Sequence, residues 1–157
     1  MRLLTLGCSV ALLVSCARTE QDTATDTARG TAAPAATPTI SLADVAGRWE
    51  VVSTPQSGTD TSVTRYTLTA TADPTGWTIT FPNRPQPIPV RVIAVQGDSI
   101  ITEAGPFESV RRKGVQVTTR GVLRIEGGRL VGSTRARYAS TGADTVLVLR
   151  TDGTRAP

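Results

Sequence analysis

The 157-residue sequence contains no histidine, and its two cysteines, Cys8 and Cys16, both fall within the first sixteen positions. The commonest general base and the commonest metal ligand are therefore missing. A serine nucleophile needs a base within hydrogen-bond reach, and the single lysine, Lys113, sits in a turn sequence that does nothing to desolvate it. Glu103 and Glu108 come closest to a carboxylate pair, yet nothing around them buries either one or sets their separation. There is no His/Cys cluster, and the acids lack the spacing of a Ca²⁺ loop. These residue types support binding rather than catalysis: the chain is expected not to be an enzyme and to use no cofactor and no metal.

Two sets of side chains are candidates for binding. Trp49, Tyr66, Trp77, Phe81 and Tyr138 either line an apolar ligand pocket or fill a small core. Phe107 with Arg111, Arg112 and Lys113 forms either a partner surface, for anionic headgroups or an acidic protein, or a solvated turn. Pro82, Pro85, Pro87 and Pro89 give a recognition segment in polyproline II form or a stiff connection. The net charge of +4 comes from 16 arginines and one lysine spread from Arg2 to Arg155 among 13 acids. A nucleic-acid footprint would gather them into one patch, so no nucleic-acid partner is expected.

Strands position these residues. In a strand, successive side chains point to opposite faces. Trp49 and Val51 therefore share one face, as do Tyr66, Leu68 and Ala70, then Trp77, Ile79 and Phe81, then Leu130, Gly132, Thr134, Ala136 and Tyr138. Ser41 with Asp44 forms a capping box for a short helical turn ended by Gly47. Strands are expected at about 48–54, 62–72, 77–81, 90–96, 99–103, 115–126, 129–138 and 144–151. A bend or bulge is expected at Gly121 and a loop over 105–114, with turns at Asp73-Pro74-Thr75-Gly76, Gly127-Gly128 and Thr141-Gly142. Eight short strands joined by turns indicate an all-β fold: a small antiparallel up-and-down barrel, or alternatively a β-sandwich.

The first forty residues have a different character. Met1-Arg2 is a short basic start, and 3–14 is apolar but shorter than the roughly 20 residues of a membrane-spanning helix. It ends in Leu13-Val14-Ser15-Cys16. This stretch resembles the signal peptide and lipobox of bacterial lipoproteins. The resemblance implies a signal peptide over 1–15, cleavage before Cys16, and acylation of Cys16 into a membrane anchor. The chain would then be exported and held in the cell envelope facing the periplasm, with Ala17 slightly favouring the outer membrane. Residues 16–40 form a Thr/Ala/Pro-rich tether without large apolar side chains until Ile40, of roughly 25 Å random-coil span. The folded domain occupies 41–157.

Gly47-Arg48-Trp49, placed after a helical turn and at the start of the first strand, is similar to the Gly-x-Trp signature of lipocalins and other calycins. In those barrels the Trp closes one end of the core and an Arg of the last strand packs over it; Arg150 is the expected counterpart. The 105–138 stretch, with Gly105-Pro106-Phe107 and Leu130-Val131-Gly132, also resembles a family of bacterial lipoproteins with no known activity. The combined expectation is a monomeric, lipid-anchored, lipocalin-like barrel that binds a small apolar or lipid ligand without catalysis. The alternative is an envelope interaction module or enzyme inhibitor with a filled core.

Overall fold

The computed structural model describes residues 39–58, 60–140 and 145–157. The signal peptide, Cys16, nearly all of the tether and the turn at Thr141-Gly142 lie outside the described residues. Within them, α1 (Leu42–Val45) is followed by β1 (Gly47–Pro55), β2 (Thr64–Ala70), β3 (Trp77–Thr80), β4 (Ile88–Gln96), β5 (Ser99–Glu108), β6 (Gln116–Glu126), β7 (Arg129–Tyr138) and β8 (Val146–Arg155). Each strand pairs antiparallel with the next, and β8 returns to β1 to close an up-and-down barrel. Closure gives every strand a neighbour on each side.

The alternation read from sequence is the alternation between core and solvent. Trp49, Val51, Leu68, Ala70, Trp77, Ile79, Val90, Ile100, Leu123 and Leu130 are buried and form one core. The ladder holds them in layers: Trp49 lies opposite Leu68, Leu68 opposite Ile79, and Trp77 opposite Val90. A second, smaller cluster of Val117, Ala136 and Tyr138 occupies the other end of the barrel. Phe107 packs against both.

The end of the barrel where β1 begins is sealed by the chain leading into it. Ser41 accepts from the Asp44 amide, and the Asp44 carboxylate accepts from the Ser41 amide at 2.8 Å, completing the capping box. The Trp49 indole N–H donates to Val45 O at 2.8 Å. The cation packed over Trp49 is Arg155, 4.4 Å from the ring centroid, and not Arg150, whose side chain is 73% exposed. Gly47 is required at this junction. Its φ is +133°, and a Cβ there would sit 2.7 Å from the Arg155 guanidinium.

Local features differ from those expectations. β5 extends to Glu108, so Phe107 lies in a strand and the loop is confined to 109–115. The β4–β5 register shifts between Val92 and Ala94, leaving Ile93 on the outside. Pro89 belongs to β4 opposite Thr78; pairing with β5 starts only at Val90, so the missing donor falls at the strand's end. Gly121 is in regular register between Thr102 and Thr134 with no bulge. A glycine stands there because a Cβ would lie 2.7 Å from the Thr102 hydroxyl.

Candidate functional site at the open end of the barrel

The other end of the barrel is bounded by the starts of β2, β4, β6 and β8 and, among the described residues, by the loops at 56–58, 60–63, 81–87 and 109–115. Inside it lies a cavity of about 60 Å³ walled by Ile79, Phe81, Phe107, Tyr138, Leu149 and the hydroxyl-bearing Ser53, Tyr66, Thr119 and Thr134. Deeper in, a second cavity of about 40 Å³ shares Tyr66, Ile79, Thr119 and Thr134 as walls and adds Thr102 and Leu123. Tyr66, Ile79, Thr119 and Thr134 thus form a collar between the two.

The collar is organised by hydroxyls that β1, β2, β7 and β8 point inward. The Ser53 Oγ lies 3.4 Å from both the Tyr66 phenol oxygen and the Thr151 hydroxyl, and Thr151 and Thr134 share a hydrogen bond of 2.9 Å. Burial pushes the Tyr66 phenol above its ordinary value, partly offset by hydrogen bonds from Ser53 and Thr151. Nothing here can act as a base near neutral pH, and the chain of hydroxyls provides donors and acceptors instead.

Above the first cavity the mouth opens into a groove of about 910 Å³. Cavity and groove share Thr64, Phe81, Ser109, Val110 and Arg111 as walls. Arg111 is the keystone of the mouth. Its side chain is only 9% exposed, and its guanidinium donates to Asp60 Oδ2, Thr64 Oγ1, and both the carbonyl and hydroxyl oxygens of Ser62. Its Nε is buried without an acceptor among the described residues. The Asp60 carboxyl is held well below the usual range, first by the Ser62 hydroxyl and then by Arg111. Ser109 Oγ accepts from the amides of Arg111 and Arg112 and shapes the turn. Arg112 stacks 4.1 Å from the Tyr138 ring centroid, and Arg84 caps Phe107 at 5.9 Å while donating to Glu108 O.

No protein-family model, curated protein or solved structure matches this chain. The fold and the site therefore stand on their own geometry: a closed eight-stranded barrel consistent with a lipocalin-like one, with a cavity and groove at the end opposite Trp49.

Of the five aromatic candidates, the structure brings together Tyr66, Phe81 and Tyr138. Tyr66 and Phe81 are 5.6 Å apart, and Phe81 and Phe107 6.2 Å. Trp49 and Trp77 stand at the sealed end, lining neither cavity; the Trp77 indole donates to Thr71 O and Asp73 O. In the partner-surface set, Phe107 turns toward the core, Arg111 is bonded into the mouth, Arg112 covers Tyr138, and Lys113 is exposed at the rim. Sequence reasoning placed Thr134 on the face of Tyr138 without singling it out, and it missed the inward Ser53 and Thr151, although Ser53 follows Trp49 and Val51 on the same face. It also missed Val63, Arg65 and Val110 at the groove, which only the folded barrel brings together.

Proposed function

We propose that this chain is a non-catalytic binder, anchored to the cell envelope through Cys16, whose barrel takes a small ligand at its open end. The observation that carries the reading is the cavity beneath the mouth, walled by Tyr66, Phe81, Phe107 and Tyr138 and sharing its upper walls with the groove. Ligand sites are concave, mostly apolar and carry a few placed polar groups, which describes this arrangement. Its volume sets a limit. A cavity of about 60 Å³ is well short of the roughly 300 Å³ at which sites for drug-sized molecules begin. A whole lipid chain does not fit inside, so the ligand is small or only its end enters. The Leu13–Cys16 lipobox supports the anchor and export to the periplasmic face, with the outer membrane slightly favoured.

The second reading, an interaction module for an envelope protein, draws support from the same small interior and from exposed Lys113 and Val110 on the rim. Native mass spectrometry of the purified chain incubated with a lipid extract of its source cells separates the two. A reproducible bound mass, lost in Tyr138→Ser, supports the small-ligand binder. A clean unliganded mass at large lipid excess sinks it for those lipids and moves the weight to the interaction module.

A further inference from the structure

The groove above the cavity has a pronounced chemical bias. Among the described residues its walls carry Arg65, Arg84, Arg111 and Lys113 against the single carboxylate of Glu108. The cations are not equivalent. Arg111 is consumed by Asp60, and Arg84 is held by the Glu108 carbonyl over Phe107. The Glu108 carboxylate accepts the Gly114 amide at 2.9 Å. Arg65 on β2 and Lys113 on the β5–β6 turn are both exposed and make no ion pair among the described residues. The same walls include Val63, 49% exposed, and Val110, 47% exposed, together with Phe81 and Pro82. A pair of uncommitted cations, apolar walls and a small apolar cavity below are therefore found in one concavity.

Resting on the small-ligand reading above, we propose that the ligand is a single-chain anionic amphiphile. Its head lies in the groove between Arg65 and Lys113, its chain runs along Val63, Val110 and Phe81, and only its tip enters the cavity beside Tyr138. The volumes agree with this division. The cavity directly beneath the groove takes about two methylene groups, if each needs about the 30 Å³ share of a water molecule. The remaining chain and the head have the groove. A neutral chain of equal length makes the same apolar contacts and forgoes the cations.

Calorimetric titration of the purified full chain with decanoate, decyl phosphate and decanol, each below its aggregation threshold, tests the assignment. Exposed charge pairs contribute about two- to fivefold each, so at least one anion should bind about tenfold tighter than decanol at low salt. That advantage should shrink in 0.5 M NaCl. It should disappear in Arg65→Gln/Lys113→Gln while decanol binding is unchanged. Both side chains are exposed, and circular dichroism checks that the double variant stays folded. The preferred anion tells a carboxylate head from a phosphate head. Equal binding of decanol and both anions, or an advantage that survives the double substitution, overturns the anionic assignment and leaves the small-ligand reading standing. Binding of none of the three overturns both.

Discussion

The Arg155 guanidinium lies 4.4 Å from the Trp49 ring centroid and, in the same pose, donates to the carbonyl oxygens of Ala46 and Asp44 at 2.8 Å each. One side chain from the last strand thereby fixes the first strand's Trp and the final carbonyls of the helical turn. Arg155→Ala removes the cation–π contact and both hydrogen bonds and should cost about 2–3 kcal/mol in urea unfolding. Arg155→Lys retains the charge without the fork and should recover part of that.

Gly47→Ala should cost about 2 kcal/mol through a different route. The residue is held at φ +133°, and the added methyl meets the same guanidinium. Combined with Arg155→Ala, the steric part is relieved, so the double variant should lose less than the two single losses added. A double-mutant cycle by chemical denaturation measures this directly.

At the mouth, Arg111→Ala should destabilise by about 2 kcal/mol, because it strands the acceptors at Asp60, Ser62 and Thr64. The Asp60 carboxyl is lowered in the folded chain. Its contribution is fully present above the ordinary carboxylate value, about 3.9, and is lost as pH falls below it. Acid titration of stability should show this slope in the natural chain and a flatter one in Asp60→Asn.

The Tyr66 phenol moves in the opposite direction. Its folded value is raised, so it favours the folded state at and below its ordinary value, about 10, and the contribution fades as pH rises through the folded value. Tyr66→Phe should reduce stability by about 1 kcal/mol at neutral pH through loss of the Ser53 hydrogen bond. The variant should also resist alkaline unfolding better than the natural chain, as followed by far-ultraviolet circular dichroism from pH 8 to 12.

The proposed anchor predicts a change of fraction. Cys16→Ser expressed in a bacterial host that acylates lipoboxes should move the chain from membrane to soluble fractions, and metabolic labelling with palmitate should disappear. Retention in the membrane fraction, unlabelled, would count against the lipobox reading.

What was legible in the sequence follows the range of the interactions. The Trp77–Ile79–Phe81 alternation and the Gly127-Gly128 turn are local, and β3 and β7 begin where those signals put them. The last strand is expected to end at about 151, yet β8 runs on to Arg155. In the barrel Gly153 pairs with both Val51 and Leu130, a consequence of closure that no local pattern contains. That shortening led to Arg150 in place of Arg155. The mouth was less legible still. Asp60 and Arg111 are 51 positions apart, and a charged residue in a turn sequence reads as solvated until the opposite loop folds down upon it.

The arrangement of strands also decides which pole of the molecule is available for handling. Ile40 bonds to Gly97 O and Ala156 to Arg48 O, so the first and last described segments both meet the barrel at the Trp49 pole. The mouth, with Tyr138 and Lys113, is at the other pole. A tag, surface linkage or fused domain attached after Pro157 therefore leaves the barrel at the pole opposite the groove. A circular permutant that joins 157 to 39 and opens the chain within 56–63 would instead place its new ends beside Arg111.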